Sequence, residues 1–205
     1  IGVDLGFVNN RIKLTADFYK RKTDDLIMPI PIGLGIPDYS QNVGSMENKG
    51  MEFTLNTVNF KTTDFSWNTN FNISFNKSKV LELKYVPIID AAGIPSAGNL
   101  VRFAANQPIS SFYGYKYDGV DVNTGEIIYK DLDGNGMLSA GDRTFIGNPN
   151  PDYTFGFTNN FAYKNWYMDV LVTGSQGGDI YNASRFELEM MDDHKNQSTI
   201  VLNRW

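Results

Sequence analysis

Apolar and polar residues alternate along this chain with a period of two, most regularly over 65–77. Phe65, Trp67, Phe71, Ile73 and Phe75 share one parity; Ser66, Asn68, Asn70, Asn72, Ser74 and Asn76 share the other. Thr69 alone interrupts the apolar row, and no charge appears before Lys77. Successive side chains of a strand project to opposite faces, so this segment predicts a strand with one apolar face and one amide-and-hydroxyl face. The same scheme recurs with Ile12, Leu14, Ala16 and Phe18 set against Lys13, Thr15, Asp17 and Tyr19. Shorter versions lie around Val3–Leu5–Phe7, Met51–Phe53–Leu55, Tyr153–Phe155–Phe157–Phe161 and Trp166–Met168–Val170–Val172, which makes six candidate strands.

The links between these strands alternate in length. They are short at Asn9-Asn10, at 61–64 and at 163–165, and long at 24–46, at 81–151 and beyond Gly174. An antiparallel meander with tight turns at one end and long loops at the other is the arrangement of an outer-membrane barrel, tight turns in the periplasm and long loops outside. The best strand, about twelve residues at roughly 3.3 Å each and tilted near 45°, covers roughly 28 Å, which matches the hydrocarbon core.

A soluble β-sandwich or secreted adhesin domain also alternates in this way. Three features favour the barrel. The polar face of 65–77 carries Asn, Ser and Thr in place of the Lys, Glu and Arg of a water-exposed sandwich face. Aromatic residues gather near the expected turn ends, at Tyr19, Phe60, Phe65, Trp67, Phe161, Tyr163, Trp166 and Tyr167, as interfacial girdles do. Loops of about 20 and about 70 residues are also too long for an ordinary compact domain.

Composition narrows the chemistry further. With no cysteine and one histidine, thiol catalysis, disulfides and zinc sites built on Cys or paired His are excluded. A net charge of −5 with scattered Lys and Arg argues against nucleic acid as a partner. No apolar run is long enough for a transmembrane helix, but a spanning strand needs only alternate apolar residues.

Several strings also resemble a known family. NVGSMENKGMEF at 42–53 resembles the loop-to-strand passage of SusC/RagA-type TonB-dependent receptors of Bacteroidetes. DRTFIGNPNPDYTFGF at 142–157 is similar to that family's segment before an aromatic strand, and GSQGGDIYN at 174–182 to the glycine-rich strand exit that follows. The closing Asn203-Arg204-Trp205 resembles the start of another shared stretch. The resemblance implies a non-enzymatic importer of oligosaccharides or peptides in the cell outer membrane, surrounded by its lipid. It also implies energisation by the TonB system and a cap formed by a SusD-like surface lipoprotein. Such receptors are much longer, so 1–205 is expected to be part of a single β-barrel domain, with the N-terminal plug and remaining strands absent from this chain. Six strands leave two sheet edges that lipid cannot satisfy.

One segment has the spacing of a cation site. Asp131, Asp133, Asn135, Ser139 and Asp142 place side-chain oxygens at positions 1, 3, 5, 9 and 12 of an EF-hand-like loop, with Gly136 at position 6 and the Met137 carbonyl at position 7. A hard cation such as Ca2+ takes six or more oxygens, and a curling loop can aim alternate residues inward. Asp142 stands where a bidentate Glu is usual. Asp/Gly/Asn runs also form plain turns without metal.

The remaining candidates carry less chemistry. His194 lies in a charged run with Asp192, Asp193 and Lys195, the setting of a solvated side chain. The adjacent pairs Asp24-Asp25 and Asp192-Asp193 would point to opposite faces of a strand, unlike the paired carboxylates of a glycosidase. Tyr113, Tyr115, Tyr117 and Tyr129 fit loop packing better than sugar stacking. The sequence therefore predicts an all-β, up-and-down transmembrane barrel segment. The alternative is a secreted β-sandwich that binds glycan beside a calcium-stiffened loop.

Overall fold

The computed structural model describes residues 1–30, 39–84, 88–91, 98–191 and 194–203, and the chain divides into two compact units. In chain order the strands are β1 (Gly2–Phe7), β2 (Ile12–Ile30), β3 (Tyr39–Lys61), β4 (Phe65–Leu83), β5 (Ile88–Ala91), β6 (Val101–Ala104), β7 (Ser111–Tyr115), β8 (Tyr117–Val120), β9 (Ile127–Tyr129), β10 (Arg143–Gly147), β11 (Tyr153–Tyr163) and β12 (Trp166–Gln176). One short helix, α1, covers Ala183–Glu189.

The first unit is built on one antiparallel sheet in the order β1-β2-β3-β4-β11-β12. These are the six strands expected from the alternation. β4 pairs directly with β11, Phe71 opposite Phe157 and Asn70 opposite Thr158, so everything between them leaves and re-enters at one end of the sheet. The three tight links lie at the other end. The β11–β12 hairpin turns through Lys164 and Asn165, with Lys164 at φ 54°. The β3–β4 turn closes with Thr62 N–H donating to the Phe65 carbonyl at 2.7 Å.

Register carries each strand's alternation across the sheet. Leu5, Leu14, Leu55, Phe71, Phe157 and Val172 form one cross-strand row; Val3, Ala16, Phe53, Ile73 and Phe155 form the next. Aromatic pairs tie the rows together: Phe18–Phe53 edge-on at 5.9 Å, Phe71–Phe157 at 6.4 Å and Trp67–Phe161 stacked at 5.7 Å. Pairs of this kind across neighbouring strands are the unit of sheet stabilisation.

Two sequence expectations need correction. Residues 24–46 are not simply a link: β2 continues to Ile30, β3 begins at Tyr39, and the two stay paired to Ile30 opposite Tyr39. A bulge between Thr23 and Leu26, with Asp25 at φ 58°, shifts the parity there, and beyond it the residues no longer alternate in polarity. Backbone pairing without that alternation leaves no period-two signature. Tyr19 and Tyr167 are likewise no girdle residues, because both lie on the polar face, Tyr19 well inside β2 opposite Gly50 and Tyr167 opposite Ala162.

Near the long-loop end of this unit the segment 104–109 hydrogen-bonds to β4. Asn106 N–H donates to the Val80 carbonyl at 2.8 Å, and Val80 N–H donates to that of Gln107 at 3.0 Å. Val43 and Val80 are the buried apolar core side chains among the described residues. So little buried core is expected of a wall that separates lipid from water.

The second unit contains a four-stranded sheet in the order β10-β7-β6-β5 and the two-stranded β8-β9 hairpin. Tyr113 anchors it, edge-on to Phe145 at 5.2 Å and with the Arg102 guanidinium 3.6 Å above its ring. Arg102 in turn donates to both carboxylate oxygens of Asp90, at 2.6 and 2.9 Å.

Candidate functional site

Two surfaces of the first unit bear on function. On the apolar side Phe18, Met51, Phe157, Val172 and Trp166 are more than a third exposed, although large aromatic and aliphatic residues are normally covered. On the polar side Asn56, Asn68, Asn70, Asn160 and Lys13 line a shallow concavity. Asn70 donates to Asn56 at 2.6 Å and Asn160 to Asp169 at 2.6 Å, and Asp4, Asp17 and Glu52 share this amide-and-hydroxyl face by register.

The apolar side holds one polar island that the sequence only hinted at. Thr57 donates to the Asn59 side-chain oxygen at 2.7 Å, Asn59 to Thr69 at 2.6 Å, and Thr69 to Asn159 at 2.7 Å. The Trp67 indole N–H completes the chain onto Asn159 at 2.9 Å. Asn59 is the extra residue of a bulge between Val58 and Phe60, and Arg11 donates to the carbonyls of Val58 and Asn59 there. Thr69 broke the apolar row in the sequence; Asn159, between Phe157 and Phe161, was the matching signal in β11.

In the second unit the 131–142 loop draws together three of its six proposed ligands. One oxygen each from Asp131, Asp133 and Asp142 lies within 4.8 Å of the others. Asp142 is fully buried. Ser139 N–H (2.7 Å) and Leu132 N–H (2.7 Å) donate to its two oxygens and hold its carboxyl below the usual carboxylate range, against the opposing effect of burial. Asp131 accepts from Gly134 and Gly136 N–H at 2.6 and 2.8 Å, and both glycines need positive φ, 73° and 77°. Ser139 donates to Asp133 at 3.0 Å, and so does the Asn135 amide at 2.8 Å. Met137 takes part through its N–H, which donates to the Asn135 side-chain oxygen, while its side chain is exposed. A short 3-10 turn, Ala140–Asp142, closes the loop as a capping box between Ser139 and Asp142. The oxygens suit a hard cation in kind, and the same oxygens satisfy backbone donors of the loop.

The other candidates resolve into structure. Asp24 pairs with Lys22 at 2.9 Å and Asp25 with Lys84 at 3.1 Å, so these carboxylates serve ion pairs beside the bulge. Tyr113 packs on Phe145, and Tyr115 on Tyr129 at 5.6 Å, as expected of loop packing; Tyr117 stays exposed. His194 is exposed, whereas Asp192, Asp193, Arg204 and Trp205 lie outside the described residues.

The comparisons with known proteins decide between barrel and sandwich. Residues 1–186 match the "TonB dependent receptor-like, beta-barrel" family. The chain belongs to that family. Among curated relatives it is 38% identical to TonB-dependent receptor P3 of Formosa agariphila over its whole length, and 34% identical to TonB-dependent receptor SusC of Bacteroides thetaiotaomicron over 88% of it. The RagAB peptide transporter superposes on all of this chain with a TM-score of 0.84 at 27% identity. This segment is therefore part of an outer-membrane TonB-dependent receptor β-barrel of the SusC/RagA type. It spans about a fifth of those curated relatives, 22% of P3 and 19% of SusC.

Proposed function

We propose that this chain is part of the barrel domain of a receptor that imports oligosaccharides or peptides across the outer membrane. A plug from elsewhere in the same protein fills the lumen, the TonB system supplies the energy, and a SusD-like surface lipoprotein caps the outer mouth. The two-faced sheet carries this reading: an amide-and-hydroxyl surface suits passage of neutral, hydrogen-bonding solutes, and an exposed aromatic and aliphatic surface suits lipid. SusC and the RagAB peptide transporter, both similar to this chain, keep glycan and peptide open as substrate classes. The 84–152 excursion then forms one extracellular loop of that barrel.

Growth of a receptor-deletion strain, with and without the restored full-length gene, tests the reading when oligosaccharides or peptides are the sole nutrient. Loss of growth on one class, rescued by the gene, is expected; unchanged growth and uptake on both would contradict import.

Within the extracellular loop, Asp131, Asp133, Asn135, Ser139 and Asp142, with the Met137 carbonyl, would hold Ca2+ and stiffen the loop without entering any reaction. The carboxylate cluster and the two positive-φ glycines support this. Terbium luminescence on the full-length receptor checks it. Calcium-displaceable emission that disappears in Asp133→Asn is expected, and emission unchanged by that substitution would refute the site.

A further inference from the structure

The apolar face of the main sheet ends abruptly, and a block of lysines follows on the same side. Above the row Phe18–Met51–Phe75, the next residues of that parity are Lys20, Lys49 and Lys77, which stand directly opposite one another on β2, β3 and β4. One step further along lie Lys22, Glu47 and Lys79, again in register. All five lysines are exposed. Like charges placed directly opposite each other in a sheet are unfavourable unless something compensates them.

The protein compensates them only in part. Lys20 pairs with Glu47 at 2.8 Å and Lys22 with Asp24 at 2.9 Å. Among the described residues no carboxylate lies within ion-pair distance of Lys49, Lys77 or Lys79. The bulges of β2 and β4 come after this block, at Thr23 and near Val80, so the parity that puts these lysines on the apolar side is unbroken.

Their height on the wall identifies what they meet. From the aromatic residue Trp67, near the tight turns, to Lys77 is ten residues of one strand; at about 3.3 Å each and a tilt near 40° this is about 25 Å, the height of the apolar band of such barrels. The lysine row therefore sits at the headgroup level of the outer leaflet, with the acyl chains of the same lipids against Phe18, Met51 and Phe75.

We infer that Lys49, Lys77 and Lys79 form an outward-facing site for the phosphate of a phosphorylated lipid headgroup in the outer leaflet. Lys49 and Lys77 face each other across β3 and β4, Lys79 follows two residues on along β4 opposite Glu47, and the apolar rows below would seat the acyl chains. Free phosphate lacks the second half of that contact, so an anchored lipid is the occupant.

The test uses the full-length receptor in detergent, with native mass spectrometry and thermal unfolding as readouts. The probes are a monophosphorylated lipid A, its dephosphorylated counterpart and inorganic phosphate. Wild type should retain the phosphorylated lipid about tenfold more strongly than the dephosphorylated one, with the preference weakening as salt is raised. The triple substitution Lys49→Gln/Lys77→Gln/Lys79→Gln should remove the preference, whereas Lys13→Gln on the opposite face should keep it. Single substitution Lys77→Gln gives the same comparison if the triple variant assembles poorly. Equal retention of both lipids, an unaltered preference in the Lys77 or triple variant, competition by inorganic phosphate alone at matched concentration, or a protein in place of a lipid adduct would each overturn the proposal.

Discussion

Tyr19 lies over Gly50, its direct partner across the β2–β3 ladder, so closely that a Cβ on Gly50 would stand 2.5 Å from both the Tyr19 hydroxyl oxygen and the Phe75 carbonyl oxygen. The phenol can rotate away, but the carbonyl belongs to the neighbouring strand and cannot. Gly50→Ala should therefore destabilise the barrel by about 1–3 kcal/mol, as overpacking does. Tyr19→Ala in the same background should restore only part of the loss. Denaturant midpoints of the folded full-length receptor, read by heat-modifiable gel mobility, check both statements.

The polar island on the lipid side gives a second expectation. Thr69 accepts from Asn59 and donates to Asn159, so Thr69→Val leaves the Asn59 amide without that acceptor in an apolar setting and the Asn159 oxygen with the Trp67 N–H alone. The loss should be about 1–3 kcal/mol, whereas replacing Thr57, Asn59, Trp67, Thr69 and Asn159 together by apolar residues should cost less than the single change, since no donor of the network is then left without an acceptor. The same unfolding midpoints distinguish the two.

The 131–142 loop should respond to acid. The Asp142 carboxyl is held below its unfolded value, so its contribution is present above the ordinary carboxylate range and is lost as pH falls through the lowered value. Limited proteolysis should find the loop resistant at neutral pH and cut progressively faster below about pH 4. Asp142→Asn replaces one acceptor oxygen with a donor facing an N–H, and should be cut readily at neutral pH as well.

How much of this was legible in the sequence follows from where a period of two carries information. Phe65, Trp67, Phe71 and Ile73 face lipid while their neighbours face water, so 65–77 announced itself, as did the six strands and their short turns. From Thr23 to Ile30 and from Tyr39 to Ser45 the residues do not alternate in polarity, and the same ladder continued unseen. Thr69 showed as a flaw in a row, but its partners Asn59 and Asn159 needed the bulge at Val58 and a pairing between β4 and β11. The acidic loop was readable as spacing; that Asp142 would be fully buried by its own loop was not.

Face assignment is the central claim, and the absence of cysteine from this segment makes it directly accessible to single-cysteine spin labelling. Labels at 70, 71, 72, 73, 74 and 75 in the full-length receptor, reconstituted in bilayers, report contact with oxygen in lipid and with a water-soluble nickel complex. The account predicts a period-two profile: 71, 73 and 75 reached by oxygen and shielded from nickel, and 70, 72 and 74 the reverse. Uniform accessibility along β4, or the opposite phase, would contradict it.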